Sequence, residues 1–192
     1  MRYRYMIIGA VLLSLTACSS KSNFYQLHPQ VDQETSSRHS MKRAVIGIAQ
    51  VDVAEYLKKS EMVTRMSAGR INVHETDRWA GSFGKNIQSV MNDNLSRLLP
   101  RYTFVSYPWE EPLSDRYRIY ISISKFDGDT AGTVRLHGRW TLVEKEDDRV
   151  MVGESFTYTE PGGESLDAIV NTQSRLLEKL SRHIGQKVAK RL

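Results

Sequence analysis

Residues 117–158 read YRIYISISKFDGDTAGTVRLHGRWTLVEKEDDRVMVGESFTY. Apolar side chains alternate there in three runs: Tyr117, Ile119, Ile121 and Ile123; Val134, Leu136, Trp140 and Leu142; Val150, Val152, Phe156 and Tyr158. Successive side chains of a strand point to opposite faces, so a period of two builds one apolar face and one polar face. Asp127-Gly128-Asp129 and Glu146-Asp147-Asp148 supply turn chemistry between the runs, which predicts an antiparallel meander with solvated acidic tips. The opposite face of the meander would carry Arg118, Tyr120, Ser122 and Ser124, then Arg135, His137, Arg139 and Thr141.

Two segments have the helical period instead. In Trp79–Leu99, Phe83, Ile87, Val90, Met91, Leu95 and Leu98 recur at intervals of three and four, and Pro100 stops the pattern. From Glu164 to about Lys190, Leu166, Ile169, Val170, Leu177, Leu180, Ile184 and Val188 share one side. Shorter signals precede them: a brief strand at Phe24–His28, a polar loop at Pro29–Arg43, and a strand covered on both sides at Ala44–Val53. A single helical turn follows at Glu55–Lys59, then a hairpin of Met62–Met66 and Arg70–His74 around Ala68-Gly69. The expected class is α+β: a mixed, largely antiparallel sheet with the two long amphipathic helices packed on one face.

The amino terminus decides the compartment. MRYRYMIIGAVLLSLTAC has basic Arg2 and Arg4, an apolar run of ten residues from Met6 to Leu15, and then small residues. Ten residues are about half of the ~20 that span a bilayer as a helix, so the segment reads as a signal peptide. Leu15-Thr16-Ala17-Cys18 resembles the bacterial lipobox, in which the cysteine takes a diacylglyceryl group on sulfur and, after cleavage, an acyl group on its new amino terminus. Acylation also removes the chain's one thiol from an oxidising compartment, where an odd cysteine invites wrong pairing. Each buried methylene contributes about 0.8 kcal/mol, and two chains already anchor stably. Ser19 stands where an aspartate would favour inner-membrane retention, so the expectation is an outer-membrane lipoprotein facing the periplasm. The expected parts are a cleaved signal peptide, residues 1–17, a lipidated tether, residues 18–23, and a single domain, residues 24–192. Loss of Arg2 and Arg4 leaves 25 basic against 22 acidic residues, a mild balance that points away from nucleic acid.

Catalytic constellations are missing from the pattern. His28, His39, His74, His137 and His183 lack metal-ligand spacing, and a single cysteine excludes thiolate zinc sites. Gly162-Gly163 lacks the lysine of a phosphate loop and reads as a turn before the last helix. With neither catalytic group, metal nor cofactor indicated, a binding or assembly role remains. Its candidate contacts are Trp109, in a proline-bounded loop, and Arg135, His137 and Arg139 on the second strand. Each has a plainer reading: a tryptophan folded back on the sheet edge, and a solvated polar face. Trp140 is expected in the core, and Trp79 at the helix start.

Several of these stretches, in order, resemble the ABC-transport auxiliary lipoproteins, the PqiC (YmbA) family. They are the lipobox, Phe24-Tyr25-Gln26-Leu27, IGIAQVDVAEYL at Ile46–Leu57, Met62-Val63-Thr64-Arg65, and Arg78-Trp79-Ala80 leading into a helix that runs to Asn94-Leu95. The resemblance implies a non-catalytic component of a periplasm-spanning lipid-transport system. The implied partners are a tube-forming protein with MCE domains and its integral inner-membrane companion, met at the outer membrane by the lipoprotein. A ring-shaped tube is best met by a ring, so cyclic self-association is expected as well. Two other readings stay open: an activator of a periplasmic cell-wall enzyme, and a periplasmic lipid carrier.

Overall fold

The computed structural model describes residues 21–32, 44–109 and 115–192. In chain order the elements are β1 (Asn23–Tyr25), β2 (Val45–Ile48), β3 (Asp52–Val53), a 3-10 turn (Glu55–Leu57), β4 (Glu61–Ser67), β5 (Arg70–Trp79) and α1 (Phe83–Leu98). Then come β6 (Thr103–Ser106), β7 (Tyr117–Asp129), β8 (Thr133–Glu144), β9 (Arg149–Pro161) and α2 (Leu166–Arg191). Of the loop expected at Pro29–Arg43, residues 33–43 lie outside the described residues.

The meander forms the spine, with β7, β8 and β9 joined by long antiparallel ladders. The other edge of β7 is shared. Its start pairs in parallel with β2, its middle with β3 and its end with β4. Beyond it the sheet forks into one wing, β2–β6, and another, β4–β5–β1. The long ladders are antiparallel and the short ones mostly parallel, so the sheet is mixed, as the α+β expectation holds.

Both helices lie on one side, over the apolar face. Leu176, Leu177, Leu180, Ile184 and Val188 of α2 are fully buried, each contributing roughly 1.5–3 kcal/mol over an exposed side chain. Ser165 starts α2 as a true cap, accepting the Ala168 N–H at 3.2 Å. Glycine lets this helix approach the sheet: a Cβ on Gly128 would lie 2.8 Å from Ile169 Cδ1. Between the helices Asn94 donates to Ser181 Oγ, and Ser181 to Met91 Sδ. Among the described residues no helix is long and apolar enough to cross a membrane.

Four local expectations are corrected, one of them tied to a bulge that the alternation did not foresee. The Ala44–Val53 strand is two strands, β2 and β3, separated by Ala49–Val51, where Ala49 N–H bonds to Ile119 O. Trp79 ends β5 instead of opening the helix; it still stacks on Phe83, ring centroids 4.3 Å apart. Asp127-Gly128-Asp129 belongs to β7, not to a solvated turn, and Asp127 is buried between Tyr56 Oη at 2.7 Å and Arg65 Nη2 at 2.6 Å. Burial and the Asp127 carboxylate together push the Tyr56 phenol well above its usual pKa. A bulge at Ser124 reverses the alternation of β7, so Phe126 turns inward. A second bulge at Met151 moves Val150 to the opposite face from Val152, leaving it 59% exposed.

Candidate functional site: the uncovered face of the sheet

Cross-strand pairing places the outward residues of β7, β8 and β9 in rungs. From one end these are Arg118–Val143–Val150, Tyr120–Thr141–Gly153, Ser122–Arg139–Ser155, Lys125–His137–Thr157 and Asp127–Arg135–Thr159. Paired residues share a face, so the sequence-expected Arg135, His137 and Arg139 do stand together on one strand. Lys125 joins them only because of the Ser124 bulge. Arg135 is held by Asp129 at 2.5 Å. Burial first, and then positive Lys125 and Arg135, depress the His137 pKa below the usual histidine value. Arg139 and Lys125 have no ion-pair partner among the described residues. Small residues in the middle rungs leave a shallow depression of about 350 Å³ lined by Ser122, Ser124, His137, Arg139, Ser155 and Thr157.

Trp109 lies at the other end of this face. From Arg118 to Lys125 the strand advances roughly 23 Å, at ~3.3 Å per residue. The indole is folded back over β2: the Arg118 guanidinium sits 4.0 Å from its ring centroid, and Tyr107 meets it edge-on at 5.3 Å. Its Nε1 reaches Val105 O at 3.5 Å. Beneath lies Gly47, where a Cβ would approach Asp115 Oδ2 at 2.7 Å and Trp109 Cζ2 at 3.2 Å, so only glycine leaves room. The helices' side of β2 is covered by α1, where Gln88 donates to Ile48 O and Ala49 O. That makes β2 a strand covered on both sides, as its sequence reads.

Asp115 fixes the arrangement. Its carboxylate is fully buried and accepts from Arg118 Nε at 2.6 Å and from Lys145 Nζ at 2.8 Å. Burial alone raises its pKa, but the two cations outweigh burial and hold the carboxyl below its ordinary range. What remains accessible is an aromatic–cationic surface: Tyr107 is 45% exposed, Tyr120 is 43% exposed, and Trp109 and Arg118 are half-buried between them. Sequence reasoning passed over Tyr107, Asp115 and Lys145. A carboxylate two residues before the start of an alternating run, with arginine at the run's second position, was the available signal.

The remaining histidines are dispersed. His28 faces Ser174 and Gln30, His74 faces Thr64, and His183 bonds Glu154 at 2.6 Å. The lipobox Leu15–Ala17, Cys18 and Ser19 lie outside the described residues, as does His39.

No curated protein matches the sequence. Among solved structures, an uncharacterized protein superposes with a TM-score of 0.73 at 20% identity, over 88% of this chain and 99% of that one. A Xanthomonas campestris protein of the DUF330 family gives 0.70 at 14% identity, over 85% and 93%. Identities this low speak for the fold alone. A PelC dodecamer from Paraburkholderia phytofirmans matches at 0.48 with 13% identity, over 76% and 90%, too distant to carry anything about assembly to this chain. The model of the ABC-type transport auxiliary lipoprotein component matches residues 25–185, nearly the whole of the folded chain, and the protein belongs to that family.

Proposed function

We propose that the protein is a non-catalytic docking component of a periplasm-spanning MCE-type lipid-transport complex, anchored in the outer membrane through acylated Cys18. The polar tether of residues 18–23 is short, which keeps the domain close to the lipid surface, and Ser19 favours outer-membrane sorting. The partners are the MCE-domain tube protein and its integral inner-membrane companion. The far end of the tube is met by several copies of this domain in a closed ring, a symmetry-matched contact that supports envelope integrity.

The observation that supports this reading is the preorganised patch of Tyr107, Trp109 and Arg118. Aromatic residues and arginine dominate the energetics of protein interfaces. A side chain already fixed from below by Asp115 gives up little further freedom on binding.

The test is affinity capture of the full-length lipidated protein from mildly crosslinked envelopes, beside its Trp109→Ala variant. An MCE-domain protein as the dominant partner, lost in the variant, supports the docking reading. A cell-wall enzyme in its place transfers the reading to enzyme activation. Bound phospholipid without a protein partner, seen by native mass spectrometry, transfers it to lipid carriage. A strict monomer in light scattering at high concentration overturns the ring.

A further inference from the structure

The depression around Arg139 is not used by the docking contacts of Tyr107, Trp109 and Arg118, which lie two rungs further along the face. Arg139 stands in the middle of β8 with Ser122 and Ser155 as its cross-strand neighbours. A Cβ on Gly153 would lie 3.5 Å from Arg139 Nη2, so the guanidinium extends over bare backbone. One rung away are His137, Lys125 and Thr157.

Charge pairing sets this arginine apart from those around it. Arg118 is taken by Asp115, Arg135 by Asp129, and both Arg116 and Arg149 by Glu144. Asp127, two rungs from Arg139, is occupied by Arg65 and Tyr56. Ser122 Oγ donates to Asp52 Oδ2 at 3.5 Å, and Asp52 borders a neighbouring depression with Arg139, but no ion pair joins the two among the described residues. The depression thus combines a guanidinium with no ion-pair partner among the described residues and flanking hydroxyls, with no carboxylate among its lining residues; the Lys125 ammonium stands one rung away. An arginine fork matches two oxygens of a phosphate, and hydroxyls on either side can reach the others.

We propose that this depression is an oxyanion site for a phosphate-bearing anion. Arg139 is the bidentate ligand, Ser155 is the flanking hydrogen-bond donor, Ser122, which donates to Asp52, lines the opposite side, and Lys125, one rung away, adds positive potential. The site goes beyond the docking role and does not depend on it.

The test uses the mature lipoprotein in zwitterionic detergent micelles, with amide and arginine side-chain NMR signals as the readout. Three titrants are compared: inorganic phosphate, soluble short-chain phosphatidylglycerol, and chloride at matched ionic strength. Phosphate is expected to shift the signals of Ser122, Arg139 and Ser155 saturably. Arg139→Gln should weaken that binding about tenfold or more, the loss of a charge-assisted contact. Ser155→Asp keeps the arginine, supplies it with an internal carboxylate, and should weaken binding as strongly. Tighter binding of phosphatidylglycerol identifies a lipid headgroup as the source; tighter binding of free phosphate identifies a soluble anion. Equal shifts with chloride, no saturation, or unchanged binding in both variants overturns the site. Envelope capture of the transport partners should survive Arg139→Gln, so failure of this proposal and failure of the docking reading give different results.

Discussion

Replacing Asp115 by alanine tests whether the Trp109 patch is held from below. The carboxylate has no solvent exposure and neutralises two cations, Arg118 at 2.6 Å and Lys145 at 2.8 Å. Breaking a buried ion pair from one side costs about 3–5 kcal/mol. Arg118 and Lys145 keep 22% and 35% side-chain exposure, so water recovers part of the loss. That places Asp115→Ala near the lower limit, at about 3 kcal/mol. With a urea slope of ~2 kcal/mol per molar, the midpoint should fall by about 1.5 M. Asp115→Asn keeps an acceptor for both donors and should cost roughly half as much.

The acid side of the stability curve gives an independent readout. Because the folded carboxyl titrates below its unfolded value, the folded state binds fewer protons over that interval. The stabilisation is therefore complete at neutral pH and is lost as pH falls through the folded pKa. Asp115→Asn should remove this acid-dependent component while leaving the rest of the profile in place. A loss below about 1 kcal/mol for Asp115→Ala would refute the reasoning, as would unchanged partner capture, since Arg118 would then stay over Trp109 without its anchor.

Four further outcomes are expected. Cys18→Ser should move the protein out of the membrane fraction and abolish metabolic labelling with a radiolabelled fatty acid. Asp127→Ala should cost about 3–5 kcal/mol in urea unfolding, because it leaves Arg65 and the buried Tyr56 hydroxyl without their partner, whereas Asp127→Asn should cost less. Gly128→Ala forces a methyl into Ile169 and should cost about 1–3 kcal/mol, with recovery on adding Ile169→Val. His137 should titrate below the usual histidine value by NMR; the unfolded state then binds the extra proton first, so its contribution to stability declines as pH drops below about 6.5.

The meander and both helices were legible because their periods run long enough to leave one reading. Ile119, Ile121 and Ile123, then Val134, Leu136, Trp140 and Leu142, are all buried where alternation puts them. The errors cluster at single-residue insertions. Phe126 falls out of phase with Ile123, and that phase break was the mark of the Ser124 bulge; without it Asp127-Gly128-Asp129 passes for a turn. Val150 was assigned to the wrong face for the same reason, one residue before a bulge. Trp79 has an apolar side chain that suits either the end of β5 or the start of α1, and only the pairing of Tyr25 with Trp79 decides between them. The candidate contacts were partly legible. Arg135, His137 and Arg139 share a strand and so share a face. The environment of Trp109 depends on Gly47 and Arg118, distant in sequence, and the parallel pairing of β2 with β7 that joins them follows from no local signal.

The same pairing explains why the two ends of the face behave differently. At the β2 end, β7 gains a parallel neighbour on the edge away from β8, and the cover of Trp109, Arg118 and Asp115 over Gly47 buries a carboxylate and uses up its cations. Positive charge there is rigid and already compensated, which suits recognition of a shaped protein surface. Around Arg139, β7 is joined on that edge only by the short strand β3, and the sheet surface stays open to solvent. Among the described residues no side chain forms an ion pair with Arg139, so its charge remains available to a ligand from outside. A fork in the sheet thus divides one polar face into a locked aromatic corner and an open cationic hollow. Arg118 and the Arg139 rung lie about 13 Å apart along β7 and share no ion-pair partner among the described residues, so the two should contribute nearly independently, and a protein contact and an anion can be held by the same face without competing.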